Sequence, residues 1–126
     1  MKIVVTSSGR DMDSPVDYRF GRCPYFLIVD TDDMSFEVIP NEAANEFGGA
    51  GIKAAQNIIK LGAEALITGN IGPNAYQVLS SAGIRIFAGP EGTVRDAIES
   101  FKNNELHEIK APTSPSHSGR RLGGIK

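Results

Sequence analysis

Short runs of apolar residues alternate along this chain with segments whose apolar residues recur at helical spacing. Five extended segments predict strands, at residues 2–6, 25–30, 36–39, 65–68 and 84–88. In the first of them the apolar residues are consecutive, which is typical of a central strand covered on both faces. The second and third are separated by the turn-forming segment Thr-Asp-Asp-Met at residues 31–34 and therefore predict a hairpin.

Helical periodicity occurs in three segments of the second half of the chain. Their starts carry helix-entry residues, namely the Gly-Gly-Ala-Gly segment at 48–51, Gly72 with Pro73, and Thr93 with Asp96 as a capping box. Their ends lie at Gly62, at Gly83 and near Asn103. Each segment has one apolar side, so we expect three amphipathic helices that pack on the sheet.

The order of the predicted elements is β-β-β-α-β-α-β-α, without an internal repeat. A hairpin followed by strand–helix units is typical of a mixed sheet with parallel strands at its centre and helices on both faces. We therefore expect a three-layer α/β/α domain with a five-stranded mixed sheet. The loops at residues 7–24, 45–51, 69–74 and 89–93 would share the carboxyl edge of this sheet, where ligands of open α/β sheets bind.

Composition and charge narrow the class of protein. At 126 residues with 40% apolar content, the chain has the size of one domain with one core. Its apolar runs are far too short to span a bilayer, so we expect a cytoplasmic protein without a membrane partner. The net charge of −2 argues against a nucleic-acid partner, because binding to phosphate backbones depends on clustered Lys and Arg.

The composition changes near the end of the chain, where Pro, Ser, Thr, Gly and basic residues replace the apolar pattern. We divide the chain into a domain at residues 1–108 and a flexible basic tail at residues 109–126. Two interpretations of the tail stay open. It keeps the protein soluble, or its Arg120, Arg121 and Lys126 contact an acidic partner.

Glycine-bearing loops precede all three predicted helices. Free backbone amides and the positive end of a helix dipole make such loops good anion sites. None of them matches a phosphate-binding loop or a dinucleotide fingerprint. The alternative is that the glycines only permit tight strand-to-helix turns. Three loops that converge on one edge favour a binding site.

Cys23 is the only cysteine of the chain, and it lies beside Arg22 and near Arg19. A lone cysteine is more often a small buried hydrophobe, whereas neighbouring positive charge favours a thiolate that can ligate a soft metal. One cysteine cannot form an internal disulfide or a four-cysteine cage. The two arginines are either solvated charges beside Asp17 or clamps for an anion.

Two catalytic interpretations lack support in the sequence. Three acidic residues of the first loop invite a two-metal nuclease interpretation, namely Asp11, Asp13 and Asp17. A nuclease of the ribonuclease H-like class holds its metals partly through an acidic residue on the first strand, and residues 2–6 contain none. A serine nucleophile lacks a base, because the only histidines, His107 and His117, lie near or in the tail.

Five segments carry a resemblance to a known family. They read D-S-P-V-D-Y-R-F-G-R-C-P-Y-F at 13–26, G-G-A-G-I-K-A-A-Q at 48–56, I-T-G-N-I-G-P-N-A at 67–75, S-A-G-I at 81–84 and G-T-V-R-D-A-I at 92–98. In this order and spacing the chain resembles the dinitrogenase iron-molybdenum cofactor biosynthesis family over residues 1–106. The resemblance implies a ribonuclease H-like α/β/α fold without nuclease activity. It also implies binding of iron–sulfur or iron–molybdenum type clusters, or their precursors, at the loop edge.

One position departs from the pattern of the family. Many members carry His where this chain has Arg19, and Arg cannot ligate a metal because it stays protonated. Cys23 is therefore the candidate metal ligand, and Arg19 a candidate contact to an anionic cluster. The residues expected to bind the cluster are Arg19, Phe20, Gly21, Arg22, Gly48, Gly49, Gly51, Gly69, Asn70, Gly72, Asn74 and Gly89.

The leading hypothesis is a non-enzymatic carrier, chaperone or sensor of an iron–sulfur or iron–molybdenum type cluster. Cluster-assembly proteins would be its partners, and a homodimer would allow Cys23 to be shared between two subunits. Two alternatives stay open. One is an enzyme that binds a nucleotide or another small molecule with the same loops. The other is a protein-interaction domain whose tail recruits a partner.

Overall fold

A computed structural model of the chain describes residues 1–45, 49–89 and 91–113. The strands are β1 (Lys2–Ser7), β2 (Tyr25–Asp30), β3 (Phe36–Pro40), β4 (Ala65–Thr68) and β5 (Arg85–Ala88). The helices are α1 (Ala50–Lys60), α2 (Pro73–Ser81) and α3 (Val94–Lys102). Every predicted element is present, and a short 3-10 turn at Glu42–Asn45 is the one described element that the sequence did not predict.

The strands of the described chain form a mixed sheet in the order β3-β2-β1-β4-β5. β2 is antiparallel to both β1 and β3, whereas β4 is parallel to β1 and β5 is parallel to β4. The predicted topology is therefore confirmed. The carboxyl ends of β1, β3, β4 and β5 share one edge with the start of β2.

Apolar side chains on the two faces of the sheet form two separate cores, whereas the length of the chain predicts one. On one face Val4, Phe26 and Leu66 pack with buried residues of α1 and α2. On the opposite face Val5 and Ile67 pack with buried residues of α3. β1 is buried on both faces from Ile3 onward, as its consecutive apolar residues predict. The arrangement is a three-layer α/β/α domain.

The chain continues along the sheet after α3. The amide of Ala88 donates to His107 O (2.9 Å), and the amide of Ile109, whose side chain is buried, donates to Ile86 O (2.7 Å). The described chain thus stays attached to the domain as far as Thr113, five residues beyond the boundary placed after residue 108. The remainder of the predicted tail lies outside the described residues. Among the described helices, none has the length and apolar character needed to cross a membrane.

Candidate functional site

The loop between β1 and β2 connects the other loops at the carboxyl edge. Its Asp17 amide donates to Thr6 O at the end of β1 (2.9 Å), and its Val16 amide donates to Gly92 O before α3 (2.9 Å). The amide of Asn70 donates to Tyr18 O over 2.7 Å. The structure therefore brings together the loops that the predicted topology places on one edge.

Buried hydroxyl groups fix the base of this loop to the sheet. Thr6 and Thr68, at the ends of β1 and β4, are fully buried, and Thr6 Oγ1 lies 3.0 Å from Thr68 Oγ1. Thr6 Oγ1 also donates to Asp17 O over 2.6 Å. Because buried polar groups must be paired, this network specifies one path for the loop.

The N-terminus of α3 is fully occupied by hydrogen bonds within the protein. The amides of Thr93 and Asp96 donate to each other's side chains at 3.1 and 3.0 Å, which confirms the predicted capping box. The amides of Val94 and Arg95 donate to the carbonyl groups of Ser14 and Met12 at 2.9 and 2.8 Å. All four amides of this turn have acceptors, so this helix terminus offers no donor to a ligand.

The N-termini of α1 and α2 lack the side-chain capping that closes the N-terminus of α3. Their N-cap residues are Gly49 and Gly72, and neither helix has a side-chain cap. A Cβ built on Gly51 would lie 3.4 Å from Ala75 Cβ, so the first turns of the two helices are in contact. A Cβ on Gly21 would lie 3.2 Å from both Cα and N of Gly51. Two helix N-termini and the loop at Gly21 thus meet at one place.

Close packing explains two of the predicted site glycines. A Cβ on Gly69 would overlap the ring of Tyr18, which is half exposed. A Cβ on Gly89 would lie 3.0 Å from Ile67 Cγ2 and 3.3 Å from Val16 Cγ1. Glycine at these positions lets the first loop approach the ends of β4 and β5.

Asp17 and Arg19 form a charged pair in the same loop as Gly21, which contacts the first turn of α1. Arg19 Nη2 lies 2.9 Å from Asp17 Oδ2 and Arg19 Nε lies 3.1 Å from Asp17 Oδ1. Asp17 is only 6% exposed, and its bonds from the Arg19 side chain lower the pKa of its carboxyl group. The same bonds raise the pKa of Arg19. The carboxylate orients the guanidinium group and offsets part of its charge.

Arg22 and Asn41 lie on the outer side of the loop, at a cleft of about 490 Å³ that Arg19 also lines. Arg22 Nη1 donates to Ala44 O in the 3-10 turn over 2.7 Å. Asn41 Nδ2 donates to Gly21 O (3.2 Å) and Cys23 O (2.8 Å), and these two acceptors fix the orientation of its amide. Asn41 therefore holds the segment that carries the predicted site residues.

Cys23 and Phe20 point into the core. Cys23 is fully buried and Phe20 is 3% exposed, and Phe20 packs on Phe26 with ring centroids 6.0 Å apart. Desolvation raises the pKa of the Cys23 thiol to about 12, and its Sγ lies 3.3 Å from Phe20 O. Metal ligation by Cys23 would require this side chain to become exposed and to lose its proton.

The described residues contain no group of three His, Cys, Asp or Glu side chains that could hold a metal ion. Their donors at the loop edge are backbone amides and guanidinium groups, which fit an anion rather than a bare metal cation. Asn70 and the exposed Asn74 flank the start of α2, where the sequence places them. Gly48 lies outside the described residues.

Sequence reasoning missed the residues that support the site. Asn41 follows β3 and gives no sign in the sequence that it reaches the β1–β2 loop. Thr6 is the second-last residue of β1 and Thr68 is the last residue of β4. A polar residue directly after an apolar run is a usable signal for such a buried hydroxyl pair. Thr113 bonds Ile71 although it lies in the segment predicted as tail.

The fold and this edge define a small α/β/α domain that presents amide and guanidinium donors at the carboxyl ends of its strands. The sequence profile of the dinitrogenase iron-molybdenum cofactor family matches residues 1–104. The chain belongs to this family, which confirms the resemblance seen in its motifs.

Relatives with known structures share the whole domain. The apo form of the orange protein from Desulfovibrio gigas is 39% identical, with a TM-score of 0.86 over 90% of this chain and 96% of that protein. A Thermotoga protein provisionally described as NifB is 36% identical, with a TM-score of 0.79 over 90% of this chain and 97% of that one. An uncharacterized protein from Methanocaldococcus jannaschii is 33% identical over 94 residues, which are 72% of this chain and 80% of that relative.

Proposed function

We propose that this protein binds an anionic metal–sulfur cluster, of the iron–sulfur or iron–molybdenum type, as a carrier, chaperone or sensor. The cluster is the cargo, and the proposed role is non-enzymatic. Membership of a family linked to the iron-molybdenum cofactor supports the class of cargo. The description of the orange protein structure as an apo form supports a ligand for this fold.

The contact between the first turns of α1 and α2 is the observation that carries the proposal. Each helix N-terminus presents about half a positive charge together with amides that lack intrahelical acceptors. The two termini meet at Gly51 and Ala75 beside Gly21. α3 does not take part, because Thr93, Asp96 and the β1–β2 loop use its amides.

Arg19 supplies a positive group at the same edge. Its backbone forms a parallel bridge with Asn70, two residues before the N-cap of α2. Asp17 holds the guanidinium group in one orientation, which reduces the entropy lost on binding an anion. The cluster would thus be held by charge and hydrogen bonds, and ligation by Cys23 would be a second step that opens the loop.

Cluster-assembly proteins are the proposed partners, because a carrier must receive and deliver its cargo. A homodimer that shares Cys23 across two subunits would require the thiol to leave the core. The charge-based site needs no second subunit. A measurement of mass in solution with and without cargo separates these two arrangements, since only the shared thiol predicts dimer formation on loading.

Anaerobic reconstitution with ferrous iron and sulfide tests the proposal. Asn74→Asp places a carboxylate in the first turn of α2. Its charge interacts favourably with the helix dipole, so the helix stays stable, but it repels a bound anion. Asn57→Asp makes the same chemical change on an exposed position of α1, about 10 Å further along that helix from its N-terminus. We expect iron uptake to fall at least about tenfold in the first variant and to stay at the wild-type level in the second. Equal iron uptake by the wild type and both variants would mean that the helix N-termini do not bind the cluster.

A further inference from the structure

The cleft beside Asn41 contains a buried acceptor that the described protein does not use. Asn41 lines this cleft and is only 5% exposed. Its Nδ2 donates to the carbonyl oxygens of Gly21 and Cys23, which leaves Oδ1 as the other polar atom of the amide. Oδ1 is buried and has no hydrogen-bond partner among the described residues. Since buried polar atoms of native proteins are almost always paired, this acceptor indicates a donor that a bound molecule supplies.

Two guanidinium groups lie at the same cleft. Arg19 lines it, and the bonds of Arg19 to Asp17 use Nε and Nη2, so Nη1 lies outside that pair. Arg22 also lines the cleft and donates through Nη1 to Ala44 O. The part of the lining that the structure describes includes no Asp or Glu. The cleft therefore favours a negatively charged ligand.

The size of the cleft and the apolar part of its lining fit a small organic molecule. A volume of about 490 Å³ lies within the range of ligand pockets, which place a few polar groups among apolar ones. The apolar part comes from Pro24, Pro40 and Ala44. An inorganic anion has no group that would use this apolar surface. The ligand that matches the whole lining is therefore an organic anion.

We propose that this cleft binds a hydroxycarboxylate, with carboxylate oxygens on the guanidinium groups of Arg19 and Arg22 and the hydroxyl group donating to Asn41 Oδ1. Guanidinium donors match the geometry of a carboxylate, and a hydroxyl group supplies the donor that Oδ1 lacks. An ammonium group could also donate to Oδ1, but the described lining offers no carboxylate to pair with it. The hydroxycarboxylate is bound in addition to the metal–sulfur cargo, so this inference goes beyond the proposed function and does not depend on it.

Malate and succinate are the probes, because they are dicarboxylates of the same charge at pH 7 that differ by one hydroxyl group. Each is titrated into the unloaded wild-type protein, and the side-chain amide signals of Asn41 are followed by NMR. We expect the Kd of malate to be at least about tenfold lower, because a site that bonds a hydroxyl group discriminates against the analogue that lacks it. Equal affinities would overturn the role of Asn41 Oδ1 and leave a buried water as its partner. No binding of either probe would overturn the site.

Two single-charge variants locate the binding. Arg22→Gln removes a charge at the cleft, and Lys60→Gln removes one from an exposed position in the last turn of α1 as the matched control. We expect malate affinity to fall at least about tenfold in the first variant and to stay at the wild-type level in the second. An equal affinity of the two variants would overturn the placement at the cleft.

The comparison of malate with succinate needs no variant, so it stays decisive even where Arg22→Gln disturbs the fold. The titrations contain no iron or sulfide, which separates their outcome from that of cluster uptake. Normal iron uptake without malate binding would overturn the hydroxycarboxylate site and leave the proposed function standing. Malate binding without iron uptake would do the reverse.

Discussion

The amide of Val94 donates to the carbonyl oxygen of Ser14 over 2.9 Å, so the first loop of the chain closes the first turn of its last helix. The neighbouring amide of Arg95 is closed in the same way by Met12. Of the three helix N-termini at the edge, this one has all its amides satisfied within the protein. The same loop therefore closes the N-terminus of α3 and borders the two helix N-termini on which the proposed function rests.

We predict that loss of the capping box of α3 lowers the stability of the protein and leaves iron uptake unchanged. Thr93→Ala removes the acceptor of the Asp96 amide, and we expect unfolding free energy to fall by about 1 kcal/mol. Urea denaturation measures this change. Ser80→Ala, on an exposed position of α2, is the control and should change stability little. Iron uptake should be unaltered in both variants. A loss of uptake in Thr93→Ala would mean that the N-terminus of α3 takes part in binding.

A side chain at position 69 would clash with one residue, Tyr18. A Cβ at this position overlaps the Tyr18 ring, so Gly69→Ala should lower unfolding free energy by about 1–3 kcal/mol. Adding Tyr18→Ala should recover only part of the loss, because Tyr18 Cα would still lie 2.7 Å from the new Cβ. Gly72→Ala is the control, since no atom lies within 4 Å of its Cβ position and its φ is −79°. Equal stability of the Gly69 and Gly72 variants would contradict the close approach.

The fold follows from local patterns that the sequence displays. Consecutive apolar residues in β1 and helical spacing in α1 reflect burial that each element requires, so element type and layer order are predictable. Thr93 and Asp96 form their capping box within four residues, and such local contacts are also visible in sequence. The shared edge of the loops then follows from the order of the strands.

The details of the site depend on contacts between residues that are distant in sequence. Asn41 fixes Gly21 and Cys23 across 20 and 18 residues, and Thr113 fixes Ile71 across 42. Hydrophobic periodicity in the sequence cannot predict such pairs, because each consists of a single side chain that bonds a distant backbone group. The sequence leaves Cys23 open between a buried hydrophobe and a thiolate beside Arg22, and the structure shows a buried side chain in an apolar cluster whose other residues are mostly distant along the chain.

The Asp17–Arg19 pair predicts sensitivity to acid. The pKa of Asp17 is lowered in the folded state, so its ionised form stabilises the protein above the unfolded pKa of about 4, and this contribution is lost as pH falls through the folded pKa. Asp17→Asn should therefore be less stable than wild type at pH 7, with a difference that shrinks as pH falls below about 4. Urea denaturation across this range provides the measurement. Glu91→Gln, at an exposed position, is the control, and a constant difference for Asp17→Asn would contradict the pairing.

The buried thiol of Cys23 predicts slow reaction with alkylating agents in the native protein. Full burial blocks access, and a pKa of about 12 against an ordinary 9.0 leaves roughly a thousandfold less thiolate at pH 8. Iodoacetamide should label the native protein slowly and the guanidinium-unfolded protein rapidly. In a Cys23→Ala background, Ser80→Cys gives an exposed thiol that should label fast in the native state and so serves as the control.

The same labelling decides how cargo is held. If the cluster is bound only by charge and hydrogen bonds, loading with iron and sulfide leaves Cys23 as slow to label as before, and the thiol reacts rapidly only after guanidinium unfolds the protein. If loading draws the thiol out of the core as a ligand, Cys23→Ala retains less iron than wild type and the loop at Gly21 becomes more sensitive to proteolysis. Rapid labelling of the unloaded native protein would contradict the burial itself, because a thiol between Phe20 and Asn41 cannot react without local opening.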